Sequence, residues 1–257
     1  QGVIPSTAPL GKWVDYWLNN IVKKSRSQST YDFYEILFRV HITPELGKQK
    51  LCKLTEEKIH EFVTKKEEEI RRSVRKDKKT GEEIVTEKKL SATTINHIAN
   101  ALRSCLNAAV RRKSLTINPA SGVVKPKIEQ PTKKTLTAEE VKKLLDAAEE
   151  MVKKEPLYLA VLLLPYTGGR RGEVLGIRRS QVDLETPGIN IDTQLKKIKG
   201  GKELDDLKTE SSYRFVPVTQ KIGKLLAEHM ERQPKIKVKV KKGKKEIEEE
   251  VYPDYLF

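Results

Sequence analysis

The sequence predicts two domains: an all-α helical domain, then a mixed α/β (α+β) domain with a small antiparallel sheet. Three observations lead there. Apolar residues recur at three- and four-residue spacing through most of the first half, the period of an amphipathic helix. A basic stretch containing Pro126 and Pro131 then interrupts the pattern. Past residue 188 the helical period gives way to a period of two, the mark of a strand. The chain therefore divides into a helical domain over 1–123, a linker over 124–135 and a second domain over 136–257.

Leu10, Trp13, Val14, Trp17, Leu18 and Ile21 form the first apolar stripe. A second helix runs from Ser29 or Thr30 to about Val40, with Tyr31, Tyr34, Leu37 and Phe38 inward. His41-Ile-Thr-Pro-Glu-Leu-Gly47 reads as a turn punctuated by Pro44 and Gly47. Thr55 is placed to cap a third helix, with Glu57 and Lys58 in its first turn and Ile59, Phe62 and Val63 inward. Ser91 and Thr94 start a long helix over about 92–113 carrying Ile95, Ile98, Leu102, Leu106 and Val110 on one face. Between these helices, residues 71–89 carry eight Lys or Arg around Thr80-Gly81. This charged hairpin reads either as a solvated run or as a phosphate-contacting loop.

In the second half, Thr137-Ala-Glu-Glu140 spells a capping-box start. Near-continuous apolarity over 157–166 predicts a buried helix, broken by Thr167-Gly-Gly169 and followed by a helix over 170–177. Ile189, Ile191 and Thr193 alternate as a strand, and Tyr213, Phe215 and Val218 make a second strand-like run. Lys199-Gly200-Gly201 turns the chain between them. Residues 219–232 return to helix. The stretch 235–251 alternates Lys with Ile or Val around Lys242-Gly243, a hairpin that sets Lys against Glu246–Glu250.

The 257 residues hold 51 Lys plus Arg against 36 Asp plus Glu, a net charge of +15. That balance favours a polyanionic partner, nucleic acid or an anionic membrane surface. Cys52 and Cys105 are too few for a disulfide framework, and both read as buried thiols in a reducing compartment. The histidines and cysteines lack metal-ligand spacing, and no glycine-rich phosphate loop is present. The longest apolar run is roughly half of a membrane span, and no signal-peptide pattern opens the chain. These absences argue against a secreted scaffold, a membrane protein, a zinc finger and a P-loop enzyme. Neither metal nor cofactor is expected.

Two stretches could carry chemistry. In Thr167-Gly-Gly-Arg-Arg-Gly-Glu173, two arginines sit against the positive end of a helix dipole. A bound oxyanion would resolve that conflict; alternatively Arg170 or Arg171 simply pairs with Glu173. In the stretch from Leu207 to Pro217, Lys208 sits at a strand turn with Ser211, Ser212 and Arg214 close behind. A lysine beside a phosphodiester can protonate a leaving alkoxide if its pKa is lowered; the plainer reading is an exposed hairpin lysine.

In this order and spacing the chain resembles a tyrosine recombinase of the phage and conjugative-transposon integrase group. His41 to Gly47 with Leu51 and Leu54-Thr55 is similar to the turn and third-helix start of that family's core-binding domain. Leu90-Ser-Ala-Thr-Thr94 through Leu102, Leu106-Asn-Ala-Ala109 and Asn118-Pro119 resembles its last helix and exit. Thr167-Gly-Gly-Arg170 with Glu173 and Leu175 resembles the first arginine box, and Lys208-Thr209 with Ser212, Arg214 and Pro217 resembles the lysine hairpin.

The resemblance implies a helical, SAM-like core-binding domain and an α/β catalytic domain that together clamp double-stranded DNA at attachment or core sites. It implies that Arg170 binds the scissile phosphate, Glu173 buttresses it, and Lys208 acts as general acid toward the 5′-oxygen. Arg171, Thr209, Ser212 and Arg214, with Lys125 and Lys127 of the linker, are implied DNA contacts. Gln28, Ser29, Tyr31, Asn96, Asn100 and Arg103 lie on the two helices that face the major groove in the family. A tyrosine would attack phosphorus to give a 3′-phosphotyrosyl intermediate without metal or cofactor. The expected assembly is a monomer without DNA and a homotetramer on synapsed DNA, in the cytoplasm, bacterial or phage-encoded, nucleoid-associated when bound and independent of membranes.

One departure matters. The family's second box, His-x-x-Arg and then the nucleophilic tyrosine, is not recognisable. His229-Met-Glu-Arg232 spells the motif but sits on an amphipathic helix that matches a different family element, and Tyr252 and Tyr255 precede the place where the box belongs. The chain thus reads as a fragment that binds DNA and leaves it uncut. An amino-terminal arm-binding domain is also expected before Gln1. The alternative is a catalytically incomplete regulator that occupies recombination sites.

Overall fold

The computed structural model describes residues 4–77, 81–129, 134–198, 201–207, 210–242 and 245–257. The chain forms two compact units, Gln1–Thr132 and Lys133–Phe257.

In the first unit, α1 (Leu10–Trp17) continues through a π-helical segment, Leu18–Val22, into Lys23–Ser25. α2 (Gln28–Leu37) likewise continues through π-helical Phe38–Ile42 into a helical turn, Thr43–Leu46. This corrects the reading of 41–47 as a turn. The Thr43 amide donates five residues back to Phe38 O, and the next residue, Pro44, has no N–H to place. Proline is tolerated there because the first turn of a helix leaves that donor unpaired. Gly47 has ordinary helical φ, but a Cβ on it would run into Thr43 O. It also accepts the Gly11 amide at 2.9 Å, so close backbone approach, not turn geometry, requires the glycine.

α3 (Glu56–Glu68) is capped by Thr55, whose hydroxyl accepts the Lys58 amide. It leads into a hairpin, β1 (Ile70–Lys76) and β2 (Glu83–Lys89), in the register Ile70↔Lys89 to Lys76↔Glu83. Ser91 caps the long α4 (Ala92–Arg111). Trp13, Phe38, Ile42, Ile59, Ile98 and Leu102 are fully buried where these helices meet. Each such side chain contributes about 1.5–3 kcal/mol on leaving water. The Trp13 indole N–H donates to Cys105 O at 3.1 Å, so the one polar atom of the ring is satisfied inside the core. Cys105 is fully buried as expected, but Cys52 is exposed. In the single 3-10 turn Leu51–Lys53 it is Leu51 that takes the buried position, leaving Cys52 outside.

In the second unit, Thr137 and Glu140 form both arms of the capping box at the start of α5 (Ala138–Val152). α6 (Leu157–Thr167) buries Leu159, Leu162 and Leu163, and ends at Gly168, whose φ of +58° is left-handed. That φ suits the glycine and stops the helix. The short α7 (Arg171–Leu175) follows. β3 (Val182–Asp183), β4 (Gly188–Ile191) and β7 (Arg214–Pro217) form an antiparallel sheet in the order β3-β4-β7, while β5 (Thr193–Ile198) and β6 (Gly201–Asp206) pair only with each other.

The expected single run 189–193 is therefore two strands, and Lys199 and Gly200 of the expected turn lie outside the described residues. Asp192 sits at the break. Arg178 reaches it at 3.2 Å and Gln181 bonds both its carboxylate and, at 3.2 Å, the Thr193 hydroxyl. On β7, Arg214 and Val216 are half-buried while Tyr213 and Phe215 face solvent. α8 (Gln220–Arg232) packs Ile222 and Leu226 inward. β8 (Ile236–Lys242) and β9 (Lys245–Val251) make the last hairpin, with Lys237, Lys239 and Lys241 opposite Glu250, Glu248 and Glu246 as expected.

Candidate functional site

The apolar face of α6 seats that helix, and Gly168 turns the chain out of it. The Thr167 hydroxyl locks the turn by donating to Leu163 O at 2.7 Å and accepting the Gly169 amide at 3.1 Å. Arg170 then occupies the N-cap of α7. An arginine cannot accept there, so Glu173, one turn on, folds back. Its Oε2 accepts the Arg170 amide at 3.1 Å and its Oε1 accepts Arg170 Nη1 at 2.8 Å. β7 brings a second cation. Arg214 Nη2 donates to Glu173 Oε2 at 3.0 Å, and Arg214 Nη1 donates to Ser212 O at 2.9 Å.

Burial divides the roles. The Glu173 side chain is 3% exposed, Arg214 31% and Arg170 77%. Burial alone would push the Glu173 carboxyl up, but the hydrogen bonds from Arg170 and Arg214 and the charge of Arg214 outweigh it and hold the carboxyl below its usual range. It is thus a fixed anion under two guanidinium groups. One carboxylate cannot neutralise two cations, so the cluster keeps a surplus positive charge, most of it on the exposed Arg170. Of the two sequence readings of this stretch, the pairing of Arg170 with Glu173 is present, and the Arg170 guanidinium stays exposed.

Arg171 is exposed at the start of α7, and Ser212 is half-buried in the turn Glu210–Ser212. Lys208 and Thr209 lie outside the described residues, as does the expected convergence of Lys208 on Arg170. Leu207, just before them, is buried.

The six residues expected to face the groove separate into two groups. Gln28 and Ser29 are exposed, and Tyr31 is half-buried with its hydroxyl 3.4 Å from Asn19 Oδ1. Asn96 and Arg103 are hydrogen-bonded within the unit. Asn96 is buried and donates to Ala92 O and Pro126 O, both at 2.8 Å. Arg103 donates to Ala120 O at 3.0 Å and to Ser121 O. Asn100 is exposed and accepts Lys125 Nζ at 2.9 Å, while Lys127 is exposed. These contacts fasten the chain after α4 back onto that helix. Such pairings join residues 17 to 30 positions apart, which no local spacing in the sequence signals.

His229 is buried, 2.5 Å from Leu256 O and stacked on Phe257, a packing role consistent with setting its motif aside. Tyr252 lies under the Arg179 guanidinium at 4.4 Å. Among the described residues no group of side chains could hold a metal ion, and no helix is long and apolar enough to cross a membrane.

Comparison with known proteins decides the class. Residues 10–66 match the phage integrase N-terminal SAM-like domain, and residues 134–257, which hold Arg170, Glu173 and Arg214, match the phage integrase family. The chain belongs to the phage integrase family of tyrosine recombinases. It is 29% identical over 247 residues to a XerC-like tyrosine recombinase of Caldanaerobacter subterraneus subsp. tengcongensis, covering 90% of this chain and 57% of that one. It is 28% identical over 167 residues to the transposase of transposon Tn916 from Enterococcus faecalis, covering 64% and 39%.

The integrase chain thus spans little more than half the length of these relatives at most. Its fold is similar to that of the Tn1549 transposon integrase in complex with a circular intermediate DNA. The TM-score is 0.72 at 18% identity, with 97% of this chain and 71% of that one covered. It is also similar to a lambda integrase tetramer bound to a Holliday junction, with TM-score 0.57 at 19% identity, covering 88% and 58%.

Proposed function

We propose that the protein is a site-specific recombinase that cleaves and rejoins double-stranded DNA during integration and excision of a mobile element or phage. The observation that carries this reading is the buried Glu173 carboxylate holding Arg170 and Arg214 together, with Arg170 exposed. Arg170 and Arg214 take the non-bridging oxygens of the scissile phosphate and stabilise the charge that builds on them in the transition state. Glu173 orients both cations and satisfies the amide at the head of α7. Lys208 supplies a proton to the departing 5′-oxygen as a tyrosine oxygen bonds to phosphorus and the P–O5′ bond breaks. Rejoining runs the same steps in reverse with a new 5′-hydroxyl. Bond energy is kept in the phosphotyrosine, so no metal or cofactor enters. Four copies act on two duplexes, in the cytoplasm of a bacterial host.

The test is strand exchange between attachment sites by a form of the protein that carries the nucleophilic tyrosine. Arg170→Ala should lower the rate by at least about 10²-fold while thermal unfolding of the second unit stays unchanged. Arg170→Lys should fail to restore it, because a point charge lacks the guanidinium fork. Full activity of Arg170→Ala would overturn the assignment.

A further inference from the structure

The helix headed by Arg170 touches its neighbour through bare backbone. Gly172 and Gly176 stand four apart, about one turn of helix, and so share a face. A Cβ on Gly172 would lie 2.9 Å from Leu195 O, and one on Gly176 would lie 2.7 Å from Leu195 N. Neither position has room for a side chain, because α7 rests directly on β5. The Thr193 hydroxyl, at the start of β5, ties the two together: it donates to Gly176 O at 3.2 Å and accepts from Gln181 Nε2 at 3.2 Å.

β5 carries the seat onward to β6. Thr193 is paired with Asp206, and Gln194 Nε2 donates to Asp206 O at 2.7 Å. A two-stranded ribbon is marginal by itself. This one is held at its base, by Thr193 against α7 and by Leu207 buried in the core of the unit. Asp206 and Leu207 are the residues that immediately precede Lys208 in the chain.

We propose that Gly172 and Gly176 are positioning residues for strand cleavage. The close seat they give α7 on β5 fixes the Asp206–Leu207 base of the lysine segment relative to Arg170. This rests on the recombinase reading, in which Arg170 binds the scissile phosphate and Lys208 protonates the departing 5′-oxygen. A misplacement of about 1 Å costs a catalytic group about 10²-fold in rate, so a methyl group wedged between α7 and β5 impairs the proton donor.

The experiment is single-turnover cleavage by a form of the protein that carries the nucleophilic tyrosine, read as covalent protein–DNA adduct. Two duplexes carrying the attachment site are compared, one with the ordinary 5′-oxygen at the scissile phosphate and one with a bridging 5′-sulfur. With oxygen, the P–O5′ bond breaks as a proton passes from the Lys208 ammonium to O5′. With sulfur, the P–S bond breaks and the thiolate leaves without a proton, since a thiol is far more acidic than an alcohol. Gly176→Ala should slow cleavage of the oxygen duplex by at least about tenfold, part of the 10²–10⁴ that a positioned acid supplies, and leave the sulfur duplex within about threefold of the parent. Lys208→Ala should show the same selective loss, and Arg170→Ala should lose both duplexes. Should Gly176→Ala not fold, as judged by circular dichroism, Thr193→Val is read in its place; it removes the hydroxyl that holds Gly176 without adding bulk. Equal losses on the two duplexes, or no loss on either, overturn the positioning role while Lys208→Ala still shows its selective loss. A Lys208→Ala loss that sulfur does not relieve overturns the acid assignment and the positioning role with it. A parent that forms no adduct with either duplex overturns the recombinase reading itself.

Discussion

Each unit contains a buried ion cluster, and the two are built with opposite signs. In the first, the Lys66 ammonium, 5% exposed, lies between Glu45 and Glu69, which are 24% and 30% exposed. In the second, the Glu173 carboxylate, 3% exposed, lies between Arg170 and Arg214. The two carboxylates that flank Lys66 also pair with the exposed Lys65 and Arg71. A buried carboxylate between guanidinium groups leaves positive charge at the surface. The first arrangement joins α3 to the turn after α2 and to the root of the hairpin. The second joins the head of α7 to β7 and leaves Arg170 exposed.

The comparison breaks most visibly at Lys66. Glu45→Ala with Glu69→Ala would leave its charge enclosed without a partner, at a cost of about 3–5 kcal/mol, measured as the urea unfolding free energy of the chain. A loss under about 1 kcal/mol would mean that Lys66 is solvated in solution and that the clusters do not differ as described.

Glu173→Gln should cost less, about 2 kcal/mol at neutral pH, because its two partners can turn to water. Its pH dependence sharpens the contrast. The folded carboxyl lies below the ordinary value of 4.5, so its contribution is present above that pH and lost as pH falls through the folded value. The stability gap between parent and Glu173→Gln should thus close below pH 4.5; a gap that stays constant on acidification would show that packing, not charge, is at stake.

Ser91→Ala gives the smallest change. It removes the neutral cap that accepts the Thr94 amide at 3.2 Å, costs about 1 kcal/mol, and should show no pH dependence between 3 and 7. A pH-dependent loss there would mean that acid sensitivity is not confined to the two clusters.

Much of the fold is local and was legible for that reason. The apolar stripes of the helices, the caps at Thr55, Ser91 and Thr137, and the break after Thr167 each depend on residues within one or two turns. So does the pairing of Lys with Glu in the last hairpin, which follows from a period of two about a single turn. The site was legible as a set of residue types, Arg170 and Glu173 three apart on one helical turn. Arg214 was named as well, but its contact with Glu173 was not. Arg214 reaches Glu173 across 41 positions through the pairing of β7 with β4.

The amino-acid order by itself determined where helices begin and end, how the two domains divide in composition, and which motifs stand in which sequence. Those follow from backbone propensities and hydrophobic period, which act over a few residues. Folding decided how each polar group is used. Asn96 and Arg103, polar residues on a helix expected to face DNA, are turned to backbone carbonyls of their own unit, while Cys52 is left in solvent. A buried hydrogen-bonding group must find its partner wherever the chain brings one. That partner is set by packing between distant segments, and no spacing along the chain encodes it.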